Sequence, residues 1–289
     1  MIDLHTHTTA SDGRLSPAAL VARAAAARVT VLAVTDHDTV AGCAAAAEAC
    51  ASAGIEFVTG IEITAVQDAT DVHVLGYFFD RASPALLEFL AEQRKRRIER
   101  IRQILERLAS LDMPLDADAV LRPASEDSHR SAGRPWVARA LVAAGYVKTT
   151  NMAFELWLSR GRPGFVPRLA AAPAEVFDRI HAAGGIASIA HPGLNRRDDW
   201  LDDFAASGLD ALEVYHTEHD ADATARYRAA ALRLNLAITG GSDFHGDDSH
   251  GPPRPGTVSL PHDDYDALKR SARFRATNRA TALGSNTSS

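Results

Sequence analysis

The chain is nearly devoid of cysteine: among 289 residues only Cys43 and Cys50 carry a thiol. They stand seven apart in an alanine-rich stretch, a spacing that suits one helix face and matches no Cys-x-x-Cys metal or redox pattern, so a disulfide-stapled miniprotein is excluded. Buried, chemically idle thiols are expected. Long hydrophobic runs are missing too. No stretch approaches the roughly 20 apolar residues that span a bilayer, and the N-terminus lacks a basic segment followed by an apolar one. A cytoplasmic protein without membrane attachment is the expectation. Net positive charge is also absent: the formal charge is −6, which argues against gripping nucleic acid chiefly through a basic surface. An anionic substrate then needs local cations.

What is present is a composition of 46% hydrophobic and 24% charged residues, enough for a large core in one α/β barrel or two smaller units. Apolar, β-branched runs at Ile2–Leu4, Val29–Val34, Ile55–Ile63, Val72–Phe79, Ile186–Ile189, Ala211–Tyr215 and Leu236–Ile238 predict about seven strands, most of them separated by helical patterns. Such alternation, without a nucleotide-binding glycine loop, favours an α/β fold of distorted (β/α)7 barrel type with a mostly parallel sheet.

The alternation fails between residues 84 and 167. There Leu86–Leu111, Trp136–Ala144 and Asn151–Leu158 read as helices, so residues 84–167 are expected to form an inserted helical subdomain capping a barrel made of residues 1–83 and 168–289. Within the first helix, Ile98, Ile101 and Leu105 mark a packed face, while Arg94, Arg96, Arg97, Arg100 and Arg102 read most simply as a solvated cationic face. The small, polar tail from Ala276 to Ser289 is expected to fray.

Histidines gather where the expected strands end. The period of two in Asp3-Leu4-His5-Thr6-His7 places His5 and His7 side by side. Thr35-Asp36-His37-Asp38 ends the second strand, Gly60-Ile61-Glu62 ends the third, and His73 lies in the fourth. Ala190-His191-Pro192 closes the fifth, and Ser242-Asp243-Phe244-His245 closes the seventh. Parallel barrel strands deliver their C-terminal ends to one mouth, so these scattered residues should converge. With Asp12, in the loop after His7, they make nine candidate ligands, more than one structural zinc requires. Two or three divalent ions are implied. Nitrogen and oxygen ligation without thiolate suits manganese, iron or zinc better than calcium or copper.

The order His-x-His, Asp-Gly, Thr-Asp-His-Asp, Gly-x-Glu, His, Ala-His-Pro and Gly-Ser-Asp-x-His resembles the polymerase-and-histidinol-phosphatase family of metal-dependent phosphoesterases. The insertion, with Gly133-Arg134-Pro135 and Gly161-Arg162-Pro163-Gly164, resembles the branch of nucleoside 3′,5′-bisphosphate phosphatases and related 5′-to-3′ exoribonucleases, although Trp136 stands where a histidine often follows Gly-Arg-Pro. The resemblance implies a distorted seven-stranded barrel and a trinuclear centre, commonly of manganese, with zinc, iron or magnesium as alternatives. It further implies that His5, His7, Glu62 and Asp243 hold one ion, that Glu62 bridges to a second held with His73 and His191, and that Asp12, His37 and His245 hold the third.

Closely spaced divalent ions lower the pKa of a shared water toward neutrality, so a metal-bound hydroxide replaces a protein nucleophile. Consistently, no Gly-x-Ser-x-Gly elbow occurs. About three such ions would bring about six positive charges, which offset the formal −6. A phosphate away from the metals calls for arginine forks: Arg134 in its Gly-Arg-Pro turn first, then Arg97, Arg100 and Arg160. His216 and His219, after the sixth strand, are candidate proton donors to the leaving group. An insertion that roofs the mouth favours a small nucleotide substrate. The reaction that fits is removal of the 3′-phosphate from a nucleoside 3′,5′-bisphosphate such as adenosine 3′,5′-bisphosphate, leaving AMP and phosphate. The alternatives are a 5′-to-3′ exoribonuclease acting on short RNA, an amidohydrolase acting on a C–N or C–O bond, and a non-catalytic metal-binding module. No obligate protein partner is evident.

Overall fold

The runs Val31–Val34 and Ile186–Ile189 are buried throughout and almost wholly apolar, the pattern of strands covered on both faces. They form the second and fifth strands of a seven-stranded sheet whose spatial order equals its sequence order. The strands are β1 (Ile2–Asp3), β2 (Val31–Val34), β3 (Glu56–Gln67), β4 (Thr70–Tyr77), β5 (Ile186–Ile189), β6 (Ala211–Tyr215) and β7 (Ala237–Gly240). The structure, a computed structural model, describes residues 1–246 and 252–285. Three backbone hydrogen bonds link the first strand's extension to the last: Leu4 N to Gly240 O at 3.2 Å, Asp243 N to His5 O at 2.8 Å and His7 N to Phe244 O at 2.9 Å. The sheet is thereby nearly closed into a barrel, as the strand count predicts.

One strand departs from the parallel expectation. β4 runs antiparallel to both β3 and β5. The two residues between Gln67 and Thr70 are Asp68 and Ala69, both at positive φ (48° and 57°), the backbone of a tight hairpin turn. Asp-Ala lacks the glycine that normally announces such a turn, so the sequence pattern hides it. Because β4 is reversed, its first half lies at the mouth beside the last half of β3, and His73 reaches the mouth from the start of its strand.

The outer helices are α1 (Pro17–Ala26), α2 (Cys43–Ala53), α7 (Pro173–Ala182), α8 (Pro192–Asn195), α9 (Leu201–Ala206), α10 (Ala221–Arg233) and α11 (His262–Ser285). Between β4 and α7 lie α3 (Pro84–Ala109), α4 (Ala117–Glu126), α5 (Arg134–Ala143) and α6 (Thr150–Ala153), which continues into a π-helical turn, Phe154–Leu158. Helix α4 is absent from the sequence expectation because Pro123 interrupts a short polar pattern, yet Asp116 caps it by accepting from Asp118 N and Ala119 N. Ile101, Ile104, Leu108, Val137 and Leu141 gather in a hydrophobic cluster separate from that of the barrel, whereas Leu86 and Leu90 at the start of α3 belong to the barrel's own.

Two expectations need correction. Arg94, Arg97 and Arg100 are buried, not solvated, because carbonyl and carboxylate oxygens of the barrel and the insertion meet them; Lys95, Arg96 and Arg102 are solvated. Residues 276–285 continue α11 instead of fraying, and residues 286–289 lie outside the described part. Among the described residues, no helix is long and apolar enough to cross a membrane.

Candidate metal centre

Two glycines let the loops at the mouth approach one another. A Cβ on Gly13 would collide with the His7 carbonyl, so the loop carrying Asp12 folds directly back over His7. A Cβ on Gly241 would collide with the His5 backbone, so the seam between the first and last strands closes tightly beneath Asp243. His191 (φ 29°) and Asp243 (φ 55°) both adopt the left-handed backbone that side chains disfavour, a strain that the surrounding packing must hold in place.

All nine sequence-predicted ligand residues converge at this mouth. Glu62 is at the centre. Its Oε1 lies 2.7 Å from His73 Nδ1 and 3.2 Å from His191 Nε2; its Oε2 lies 2.9 Å from His37 Nδ1, 3.2 Å from His7 Nε2 and 3.5 Å from His5 Nε2. Asp243 Oδ1 adds 3.1 Å to His7 Nε2 and 3.3 Å to His5 Nε2. On the far side Asp12 approaches His245 Nε2 at 3.3 Å and His37 Nε2 at 3.7 Å. Ligand atoms of His7, Asp12, His37 and His245 all fall within 4.8 Å of one another, as do those of His5, His7 and Glu62, and of His37, Glu62 and His73.

The donor set fits cations. Close as these atoms are, His5 Nε2, His7 Nδ1 and Nε2, His37 Nδ1, His73 Nδ1, His191 Nδ1 and Glu62 Oε2 are buried with no hydrogen-bond partner. Buried polar atoms left this way are costly, and so many facing one centre are best served by shared positive ions. The charges say the same. Burial pushes the carboxyls of Asp12, Glu62 and Asp243 up, but the surrounding imidazoles outweigh it and hold all three well below the usual range. Burial pushes His7 down, yet the Asp243 and Glu62 carboxylates beside it lift it to about 10. Without metal, the cluster takes up protons to balance its carboxylates.

The hydrogen bond on a ring's other nitrogen determines what each histidine offers. His5 Nδ1 donates to Glu213 Oε1 at 3.0 Å and His245 Nδ1 donates to the Asp243 carbonyl at 2.9 Å, so each presents a bare Nε2 to the centre. Glu213 Oε2 also accepts from His191 N at 2.7 Å. His216 is the opposite case. Its Nδ1 accepts from Glu218 N at 3.1 Å, which leaves the proton on Nε2, 3.5 Å from Asp243 Oδ2. His219 donates from Nδ1 to Val214 O and accepts at Nε2 from Gly193 N. With its one proton given to Val214 O and its other nitrogen filled by Gly193 N, His219 holds α8 against β6, which corrects its sequence-based role as a proton donor.

The arginines separate as well. Arg97 is fully engaged, donating to Asp38 Oδ2 at 2.5 Å, Thr64 Oγ1 at 2.8 Å and Ala132 O at 3.2 Å, so it braces the β3 wall and is withdrawn as a phosphate contact. Arg160 is exposed and donates to Thr70 Oγ1 at the hairpin tip, outside the centre. Arg134 faces Asp71 Oδ2 at 3.7 Å and donates to Leu158 O. Arg100 donates to Val166 O and leaves Nη2 unpartnered. Beside the centre, a cavity of about 440 Å³ is lined by Asp12, Asp243, His245 and His216 on the barrel side and by Thr150, Asn151 and Phe154 of the insertion. Sequence reasoning missed Glu213; a lone carboxylate within the apolar strand Ala211–Tyr215 was the available signal.

Comparison with known proteins gives a consistent result. A PHP-domain model matches residues 3–118. The chain is 38% identical to the 5′-3′ exoribonuclease Rnm of Escherichia coli over 84% of each chain, and 36% identical to the 3′,5′-nucleoside bisphosphate phosphatase of Chromobacterium violaceum over 90% of this chain and 92% of that one. A solved structure from Bifidobacterium adolescentis, assigned as a metal-dependent phosphoesterase, superimposes with a TM-score of 0.85 at 35% identity, covering 93% of this chain and 95% of the other.

Proposed function

Since the chain belongs to the PHP-domain family of metal-dependent phosphoesterases, we propose that it is a phosphatase removing the 3′-phosphate of nucleoside 3′,5′-bisphosphates. The observation that carries the reading is the convergence of nine imidazole and carboxyl side chains, most with unpartnered inward atoms, beside a cavity of nucleotide dimensions. His5, His7, Glu62 and Asp243 would hold one ion, Glu62, His73 and His191 a second, and Asp12, His37 and His245 a third. Manganese is the proposed metal. Such ions supply Lewis acidity toward phosphoryl oxygens and an activated water near neutral pH.

The protein's own part is positioning and proton supply. Glu213 fixes His5 through its Nδ1 and tethers the His191 backbone, so both rings stay aimed at Glu62. His216 carries its proton on the inward Nε2, where it can pass to the leaving 3′-oxygen. Phe154, stacked beneath the Arg134 guanidinium at 5.9 Å, offers a face for the base. The roof provided by the insertion limits how far a substrate extends.

A second reading is favoured by the exoribonuclease relative. Release of a 5′-mononucleotide from a 5′-phosphorylated RNA end breaks the same bond to a 3′-oxygen and expels the same 5′-mononucleotide; the difference is that the phosphoryl group which takes up water carries the rest of the RNA chain instead of being free phosphate. The test is to load purified protein with manganese, measure metal per chain, and assay adenosine 3′,5′-bisphosphate, nucleoside monophosphates and 5′-phosphorylated oligoribonucleotides side by side. The bisphosphate is expected to give the highest kcat/KM with release of inorganic phosphate. Faster release of mononucleotides from RNA would replace the first reading with the second.

A further inference from the structure

On β4, Asp71 and His73 are two residues apart and so point to the same face, roughly 7 Å from each other along the strand. That is about the reach of one ribose carrying a phosphate at each end. Asp71 and Arg134 are each about a quarter exposed, as is His73. Around Asp71 stand more guanidinium groups than one carboxylate can balance. Arg168 Nε lies 3.3 Å from Asp71 Oδ2 and Arg134 Nη2 lies 3.7 Å from the same oxygen.

Arg100, only 6% exposed, completes the group and has a buried Nη2 with no hydrogen-bond partner. Three cations thus gather around Asp71, and Asp38, which also acts on Arg168, already receives Arg97 Nε. Burial and the neighbouring Arg168 push Arg100 down to about 9, while burial and Arg97 push Arg168 down to about 10. The protein has assembled an excess of positive charge where its own structure needs none. By contrast Arg97, one turn earlier on α3, is saturated by its partners.

Resting on the nucleotide reading above, we propose that Arg168, Arg134 and Arg100 form a subsite for a terminal phosphate dianion, the 5′-phosphate of the substrate, and that Asp71 occupies this subsite as an internal stand-in until the phosphate arrives. The dianion forks between Arg168 and Arg134 and gives Arg100 Nη2 an acceptor. Asp71 then serves as a counterweight that keeps the guanidinium groups placed while competing with the ligand. Removing a cation and removing the counterweight must therefore act in opposite directions, which a general loss of folding cannot imitate.

The experiment compares metal-loaded wild type, Arg168→Ala, Arg168→Lys and Asp71→Asn on two pairs of substrates: adenosine 3′,5′-bisphosphate against adenosine 3′-monophosphate, and 5′-phosphorylated against 5′-hydroxyl oligoribonucleotide. Binding of AMP against adenosine is measured by calorimetry on the same proteins. Arg168→Ala is expected to raise KM for the 5′-phosphorylated member of each pair, and the Kd of AMP, about 10- to 150-fold, while kcat/KM for the members lacking that phosphate stays unchanged. Arg168→Lys should recover part of the loss, and Asp71→Asn should lower KM for the 5′-phosphorylated members several-fold. If Arg168→Ala weakens both members of a pair equally, or if Asp71→Asn fails to tighten the phosphorylated one, the subsite is wrong. If AMP binding follows the expected order while the bisphosphate is not hydrolysed, the subsite stands and the phosphatase reading falls.

Discussion

Two buried carboxylates near the end of the barrel, Asp3 and Glu62, differ in how they are satisfied. Asp3 Oδ1 accepts from Ser242 N and His5 N, and its Oδ2 accepts from Ser242 Oγ at 2.6 Å and Gly256 N at 2.7 Å. Every partner is a hydroxyl or a backbone amide, none can carry charge, and burial raises the pKa of Asp3. Asp36 follows the same pattern, held by Ser11 and Thr8. Glu62 is ringed by five imidazoles, has one oxygen without a hydrogen bond, and is held well below the usual carboxylate range. Burial is shared, so it does not distinguish them. What does is whether the partners complete the hydrogen bonds or leave them open for an ion.

This contrast can be broken most forcefully at Glu62. Glu62→Ala should reduce turnover of every substrate by at least about 100-fold and lower the metal content per chain, with the circular-dichroism spectrum retained. Full activity with full metal content would dissolve the distinction. Glu213→Gln sharpens it: the amide keeps the shape but weakens the grip on His5, so manganese affinity by competition with a chelator should fall about 10- to 100-fold. On the other side, Asp3→Ala should cost about 1–3 kcal/mol in denaturant unfolding, because amides and a hydroxyl lose their acceptor, while metal stoichiometry stays at the wild-type value. The smallest effect is expected at the thiols. Burial pushes Cys43 up to about 12 and Cys50 up to about 11, so iodoacetamide at pH 8 should leave the mass of the native protein unchanged.

Much of the centre was legible because its ligands sit in short local signatures at the ends of apolar runs, where a barrel brings distant segments together. His5 and His7 could be paired from strand periodicity, and His37 and Glu62 placed at the ends of their apolar runs. What escaped was set by tertiary geometry. The reversal of β4 turns on the Asp68-Ala69 backbone, whose positive φ has no glycine to signal it. The difference between Arg97 and Arg100 depends on which oxygens lie opposite, and the retirement of His219 on a backbone amide of Gly193. Arg168 belongs to none of the sequence motifs, and only the fold brings it beside Asp71.

Helix α3 has a mechanical consequence. Over 26 residues, about 39 Å, it contains no glycine and no proline beyond its first position, and its two ends are anchored in different hydrophobic clusters. Midway, Gln93 and Arg97 pin it to Thr64 and Asp38. The insertion therefore stands on an unbroken strut with no hinge in it, and under the proposed function any selection of substrates by length would be the work of a fixed aperture, not of a gate that opens and shuts with each turnover.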